Sequence, residues 1–353
     1  MTRQRVVVLS CLVAALVAAG VFAVRRPPAV TSAADRPTPG TTVVSLTFDD
    51  GFAVQSAAVE ILAKHRLRGT FYINSGVVGQ SARYMSWPQI RSLVAAGHEI
   101  AGHTIDHPHL SQLGAEALRH EICDDRATLL QLGFSVTDFA YPYAEKPPLA
   151  KSLVKSCGYN SARDVSGLVD RGDCSDCPMA NPLPVPDPYR IRGNSSTSTL
   201  RLFQQYVTQA GQVKGRVYVP LTFHHICDPC TGPPTDERIS PRDFDTFMTW
   251  LKGQPSVQVR TVHEVMGGPL RPAVGTPIQS TLRRAAEESS PTPAATRATR
   301  AEPERSGSGT PLTVGLALVA APTSSLSHSA VRSGATLGAH AKAQRPDCSE
   351  GHV

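Results

Sequence analysis

The fold is decided by residues 42–73, which read TVVSLTFDDGFAVQSAAVEILAKHRLRGTFYI. Residues 42–47 are strand-like, residues 54–67 place Ala, Val, Ile and Leu at helical spacing, and residues 69–73 are strand-like again. The pattern predicts a β–α–β unit. Such a unit joins parallel strands, because the crossover helix returns the chain to the same end of the sheet.

The alternation continues downstream. We predict helices over residues 87–96, 114–132, 149–157, 199–212 and 242–251, and strands over 98–101, 137–141, 217–223 and 257–261. Residues 170–190 form an irregular stretch rich in Cys and Pro. This many βα units in one domain favour an α/β fold in which parallel strands close into a (β/α) barrel, rather than an open doubly wound sheet. Functional side chains should then follow the carboxyl ends of the strands.

The two ends of the 353-residue chain differ from its body. Arg3 and Arg5 precede an uncharged apolar run over residues 6–24, which is typical of a secretory signal, although a retained membrane tether stays open because Arg25 and Arg26 follow it. The chain is therefore expected to be secreted or attached to the cell surface. We divide it into a signal or anchor (1–24), a linker (25–40), a central folded domain (41–268) and a disordered low-complexity tail (269–353).

Composition and charge narrow the function classes. Apolar residues make up 41% and charged residues 18% of the chain, as in ordinary globular proteins. The net charge of +6 is carried by the ends, since residues 1–40 contribute +4 and residues 269–353 contribute +3, which leaves −1 for residues 41–268. The body therefore shows no basic surface suited to nucleic acid, and no nucleic-acid partner is expected.

The chain has eight cysteines, and six of them suggest cross-links. Two CxxC pairs, at 174–177 and 227–230, would suggest a structural zinc site in a cytosolic chain. Export to an oxidising compartment favours disulfides instead, within or between those pairs, with Cys123 and Cys157 as a further pair.

Polar segments follow three of the predicted strands. Asp49 and Asp50 follow the first, His103 and His107 lie four residues apart after the third, and His224 ends a late one. Taken singly, Asp-Asp-Gly is most often a turn and a His-x-x-x-His spacing is often accidental. Together at strand ends they predict a site for a divalent metal, because two adjacent carboxylates need a cation and imidazole with carboxylate is a zinc-type ligand set.

These residues resemble the polysaccharide deacetylases of carbohydrate esterase family 4. The likeness rests on three motifs in the family's order: TFDDG at 47–51, HTIDH at 103–107 and LTFH at 221–224, and it extends over residues 42–266. Residues 97–104, GHEIAGHT, resemble the usual approach to the His motif. The resemblance implies a distorted (β/α) barrel.

The resemblance also implies a role for each motif residue. Asp50, His103 and His107 would hold a divalent metal, with Zn²⁺ the expected ion, and Asp49 would be the general base. His224 would be the general acid that protonates the departing amine.

Two further positions take roles from the family's pattern. The backbone N–H of Tyr143, in a Pro-Tyr pair, would stabilise the oxyanion of the intermediate. Leu221 would line the pocket for the acetyl methyl group.

The sequence departs from the family in two places. An Arg that often pairs with the base carboxylate is replaced by Ala140, and no Asp-x-x-Asp-Trp segment is visible to orient the catalytic His. Arg163 could supply the missing cation to Asp49 from the next strand end around the barrel. The alternative is an exposed loop Arg paired with Asp164.

The sequence therefore predicts a secreted, monomeric, metal-dependent hydrolase that removes N-acetyl groups from an amino-sugar polysaccharide such as chitin or peptidoglycan. An O-acetyl esterase acting on xylan or wall glycans would use the same chemistry and stays open as an alternative. A catalytically silent glycan-binding protein is the alternative from another class, and the intact motifs argue against it.

Overall fold

The structure, a computed structural model, describes residues 40–169, 174, 176–195, 199–230 and 237–290. The predicted signal or anchor, nearly all of the predicted linker and residues 291–353 of the predicted tail lie outside the described residues. Within the described ranges, no helix combines the length and apolar character needed to cross a membrane.

A mostly parallel sheet forms the framework of the described residues. Its nine strands are β1 (Thr42–Phe48), β2 (Thr70–Ile73), β3 (Glu99–Gly102), β4 (Asp138–Ala140), β5 (Ser161–Gly167), β6 (Asn181–Pro182), β7 (Ile191–Gly193), β8 (Val217–Phe223) and β11 (Val257–Val259). A separate parallel pair is formed by β9 (His225–Ile226) and β10 (Arg238–Ile239). The predicted α/β architecture with parallel strands is confirmed.

Helices follow most strands and cover the outside of the sheet. They are α1 (Ser56–His65), α2 (Trp87–Ala95), α3 (Ala115–Arg119), α4 (Asp125–Gln131), α5 (Pro148–Ser156), α6 (Leu200–Ala210), α7 (Pro241–Lys252), α8 (Val262–Met266) and α9 (Gln279–Ser289). A π-helical turn, His120–Asp124, joins α3 to α4, so the single predicted helix over 114–132 is one continuous element with an irregular middle.

The sheet order is β6–β8–β1–β2–β3–β4–β5–β7, with β11 also paired to β1. All described pairs in this sheet are parallel except β6 with β8. Hydrogen bonds of side chains bridge the remaining gap between β7 and β8. Asn194, just after β7, accepts a hydrogen bond from the backbone N–H of Thr222 at 2.6 Å. Asn181 donates to the carbonyls of Arg192 (2.8 Å) and Tyr218 (3.1 Å). The barrel is therefore distorted, because two amide side chains replace a backbone ladder at its seam.

The largest core cluster lies between the sheet and the surrounding helices. Phe48 of β1 stacks on Phe71 of β2 with ring centroids 4.6 Å apart, and on Phe223 of β8 at 5.5 Å. Phe244 of α7 meets Phe48 and Phe223 edge-on. β1 is buried on both faces, so Thr42, Ser45 and Thr47 are buried together with its apolar residues, and its β-branched and aromatic residues indicate a strand.

Residues 269–290 correct the predicted start of the tail at 269. Arg126, which is fully buried, donates to the backbone carbonyls of Arg271 at 2.9 Å and Pro272 at 3.0 Å. The backbone N–H of Thr276 donates to Asp124 at 2.8 Å, and α9 follows. The prediction is wrong here because a segment with few apolar residues is ordered by backbone hydrogen bonds, which composition does not reveal.

Three disulfides are present among the described cysteines. They join Cys123 to Cys157 and close each CxxC pair on itself, at 174–177 and 227–230. The disulfide interpretation therefore agrees with the structure, and its open question is answered as pairing within each CxxC. The Cys123–Cys157 bond ties the π-helical turn to the end of α5.

Candidate active site

Asp49 and Asp50 are adjacent residues directly after β1. The backbone N–H of Asp49 donates to the carbonyl of Phe223 in β8 at 3.1 Å, and Asp50 turns into the left-handed region with φ of 72°. The buried side chain of Gln55 donates to the carbonyl of Asp49 at 2.5 Å and to that of His224 at 3.0 Å. Gln55 therefore joins two of the predicted site segments. Sequence reasoning missed it, because the burial of Gln55 is visible only in the structure.

The His motif forms a tight loop after β3. Thr104 and His107 both have positive φ, at 70° and 58°, and the N–H of His107 donates to Thr104 Oγ1 at 3.1 Å. Glu121 accepts hydrogen bonds from the N–H groups of Ile105 (2.9 Å) and Asp106 (3.2 Å). This bend, not a helical turn, brings the two imidazoles to the same side.

Asp50, His103 and His107 converge on one point. Their nearest ligand atoms lie within 4.8 Å of one another, and Asp50 Oδ1 is 3.4 Å from Nε2 of each histidine. His103 uses Nδ1 against the carbonyl of Ala140 at 2.8 Å, so Nε2 is the nitrogen that faces Asp50. Asp50 Oδ1 is buried without a hydrogen-bond partner among the described residues. A buried carboxylate oxygen and two imidazole nitrogens aimed at each other fit a divalent metal of the zinc type.

The electrostatics of the cluster fit the same reading. Burial alone would raise the pKa of Asp50, but contact with His103 and the charges of the nearby histidines hold that pKa below its usual value. Burial and the charge of His103 lower the pKa of His107 to about 4. At neutral pH, Asp50 is therefore ionised and His107 is neutral, which are the forms that bind metal. Against the effect of burial, contact with Asp50 and the charge of Asp49 raise the pKa of His103, so a bound metal would have to displace its proton.

Asp49 is paired with Arg163. The guanidinium lies against Asp49 Oδ1, both side chains are 1% exposed, and the guanidinium carbon is 4.3 Å from the ring centre of Tyr72. Arg163 is the strand partner of Ala140 in the β4–β5 register. The cation absent from position 140 is thus supplied by the residue beside it on the next strand. The alternative of an exposed loop Arg is wrong, because Arg163 is buried, and Asp164 pairs instead with Lys146 at 2.9 Å.

His224 faces the free oxygen of the same carboxylate. Its Nε2 lies 4.0 Å from Asp49 Oδ2, and Nε2 of His103 lies 3.9 Å from that oxygen. Nδ1 of His224 has no hydrogen-bond partner among the described residues, consistent with the missing Asp-x-x-Asp-Trp segment. The neighbouring His225 turns away and stacks on Phe52 at 4.4 Å.

Tyr143 lies at the rim of the cluster. Its backbone has φ of 55°, and its ring, 52% exposed, meets the edge of His107 at 4.5 Å and stacks on His109 at 4.0 Å. His109 is held by Glu145 at 2.8 Å. Tyr143 therefore forms an exposed part of the rim of the cluster.

Leu221 does not lie with the other predicted residues. It is fully buried in the cluster between the sheet and the helices, together with Phe223 two residues later. Because strand side chains alternate, Thr222 takes the other face, where its hydroxyl meets Thr47 at 3.2 Å. The structure thus contradicts a pocket role for Leu221. The sequence motif places it near His224 along the chain but does not give its side.

The fold and the site together define a class. A parallel barrel that gathers an Asp-His-His cluster beside a carboxylate paired with Arg and faced by His has the parts of a hydrolase acting on carbonyl compounds. In comparison with known proteins, residues 36–162 match the family model described as polysaccharide deacetylase, so the likeness is shown for that stretch of the chain. The resemblance to polysaccharide deacetylases is confirmed.

Curated relatives agree with that match. A chitooligosaccharide deacetylase of Sinorhizobium fredii is 39% identical over 88 residues, which are 24% of this chain and 38% of that protein. A chitin deacetylase of a Pestalotiopsis species is 31% identical over 118 residues, 33% of this chain and 39% of that protein. The matched stretches thus span less than half of these relatives.

Among solved structures, the chain is similar to a family 4 carbohydrate esterase from Streptomyces lividans. It is 17% identical with a TM-score of 0.42, and the alignment covers 67% of this chain and 98% of that one.

Proposed function

We propose that the protein is a secreted, metal-dependent hydrolase that removes N-acetyl groups from an amino-sugar polysaccharide of the chitin or peptidoglycan type and releases acetate. The observation that carries the proposal is the position of Asp49, fixed by Arg163, against the cluster of Asp50, His103 and His107. The names of the matched relatives supply the substrate class.

Asp50, His103 and His107 would hold the metal. When bound, a divalent ion such as Zn²⁺ polarises the acetyl carbonyl and lowers the pKa of water. The chain's own residues supply the remaining chemistry. Asp49 Oδ1 is occupied by Arg163, which leaves Oδ2 to accept a proton from the attacking water.

The leaving group requires a second proton transfer. Hydroxide adds to the acetyl carbon, the C–N bond breaks, and the amine nitrogen must gain a proton as acetate departs. His224 Nε2, on the side of Asp49 Oδ2, is placed to give that proton. The backbone N–H of Tyr143, at the rim beside His107, would stabilise the oxyanion.

Acetate release tests this proposal. Purified protein would be assayed on N-acetylated chitooligosaccharides and on O-acetylated xylan, before and after treatment with a chelator and after return of Zn²⁺. We expect release from the amino sugar, loss with the chelator and recovery with zinc. Asp49→Asn should lose turnover by orders of magnitude, whereas Asp243→Asn, an exposed carboxylate on α7, should not.

The same assay separates the alternatives. Release from xylan alone would show an O-acetyl esterase. No release from either substrate, with metal bound, would favour a silent glycan-binding protein. His224→Ala should slow amide substrates more than activated esters, because only the amine needs protonation, and equal losses would argue against His224 as the acid.

A further inference from the structure

Helix α9 forms hydrogen bonds to the loop after β2. Arg284 Nη1 donates to the carbonyls of Gly76 at 3.0 Å and Val78 at 2.9 Å. Glu288, one turn later, accepts the backbone N–H of Trp87 at 2.7 Å, where the loop ends and α2 begins. We call residues 74–86 the β2 loop. Two side chains of α9, Arg284 and Glu288, therefore form hydrogen bonds at the two ends of this loop.

The β2 loop in turn supports the metal-binding loop. The N–H of Gly76 donates to the carbonyl of Ile105 at 2.9 Å, midway between the two metal-binding histidines. Asn74 donates to the carbonyl of His103. A β-carbon at Gly76 would collide with Ile105, so the two backbones are in direct contact. Gly76 therefore links α9 on one side to the histidine loop on the other.

The histidine loop needs such support. Thr104 and His107 adopt left-handed conformations without being glycine, which strains the backbone at both positions. Strained residues of this kind persist only where their surroundings fix them. The contact with Gly76 is one of those restraints, beside the hydrogen bonds to Glu121.

Helix α9 is itself fixed to the body independently of the β2 loop. The N–H of Ile278 donates to Thr128 Oγ1 at 2.9 Å, Thr276 is held by Asp124, and Arg126 holds the chain just before it. Ala285, between Arg284 and Glu288, is buried. The helix can therefore act as a fixed support for the loop.

We infer that Arg284 and Glu288 are positioning residues, which hold the β2 loop and through it the backbone of the metal-binding histidines. The inference rests on the proposed function only in assigning metal to those histidines. It also makes residues 269–290 part of the working enzyme, although they lie outside the stretch that matches the family model.

The test is metal binding to the metal-free protein, measured by titration calorimetry with Zn²⁺. We expect Arg284→Ala to weaken binding by about tenfold, as loss of outer supports of metal ligands does. Arg283→Ala is the matched control, because Arg283 is the exposed neighbour on the same helix, and it should bind as the wild type does. Arg284→Lys should recover most of the affinity, since one nitrogen makes both contacts.

Amide hydrogen exchange gives a second readout. Arg284→Ala should increase exchange in residues 74–86 and 103–107, and Arg283→Ala should not. If Arg284→Ala fails to fold, Glu288→Ala with Glu287→Ala as its exposed control asks the same question. A wild type that binds no Zn²⁺ would overturn the proposed function, whereas a wild type that binds it with Arg284→Ala equal to Arg283→Ala would overturn this inference alone.

Discussion

Replacing Arg163 by Met should strongly destabilise the domain. The change removes a charge but keeps most of the volume, and it leaves the carboxyl group of Asp49 buried without its partner, since both side chains are 1% exposed. Removing one partner of a buried pair costs about 3–5 kcal/mol, because the remaining charge loses its compensation in a medium of low dielectric. In a domain of this size, each kcal/mol lowers Tm by roughly 2–4 °C, so the expected fall is on the order of 10 °C.

Urea unfolding of the metal-free protein with its disulfides intact would measure this cost. Lys64→Met is the control, because its pair with Asp245 is surface-exposed and should contribute under about 1 kcal/mol. The double variant Asp49→Asn with Arg163→Met should recover much of the loss, since the unpaired charge is gone. The reasoning fails if Arg163→Met costs no more than Lys64→Met, or if the double variant is as unstable as the single one.

Three further expectations follow from the same structure. His107→Ala should remove most of the bound metal while the protein stays folded, and full metal content by elemental analysis would refute the ligand assignment. Burial and the adjacent Asp138 raise the pKa of Glu99 well above its ordinary value of 4.5, so its contribution to stability is present below about pH 4.5 and is lost as pH rises through the raised pKa. Glu99→Gln should flatten that decline in urea unfolding, and parallel profiles for the two proteins would contradict it. Leu221→Ala should cost about 2–5 kcal/mol without altering KM, and a changed KM at unchanged stability would return Leu221 to the substrate pocket.

The sequence predicts much of the barrel because local patterns there agree with the final packing. β1 and β8 lie side by side in the sheet, both are fully buried, and each is rich in the β-branched and aromatic residues that favour strands. The seam was not predictable in the same way. It depends on Asn181 and Asn194, whose partners lie far along the chain, and nothing in the local pattern distinguishes them from loop residues.

The candidate site was likewise predictable from the sequence only in part. Motif spacing was enough to predict Asp49, Asp50, His103 and His107 in one neighbourhood, whereas strand order gave Arg163 beside them only as one of two alternatives. The face of the strand from which a side chain points was less evident in the sequence. The predicted pocket role of Leu221 was wrong for that reason. The support by α9 was missed because it acts through backbone carbonyls, which every residue carries and no composition reports.

Five residues around the site, Asp50, Thr104, His107, Tyr143 and Ala144, share positive φ values although none is glycine. The surroundings of the candidate site are therefore a strained part of the described backbone, and an evolutionary or laboratory search for thermostability would find gains there. Glycine at Ala144 would relieve such a conformation at little steric cost. The added backbone flexibility at position 144 would also make the position of Tyr143 less fixed. Variants selected only for heat resistance should therefore gain stability and lose catalytic rate. Screening for both properties together would preserve these backbone conformations.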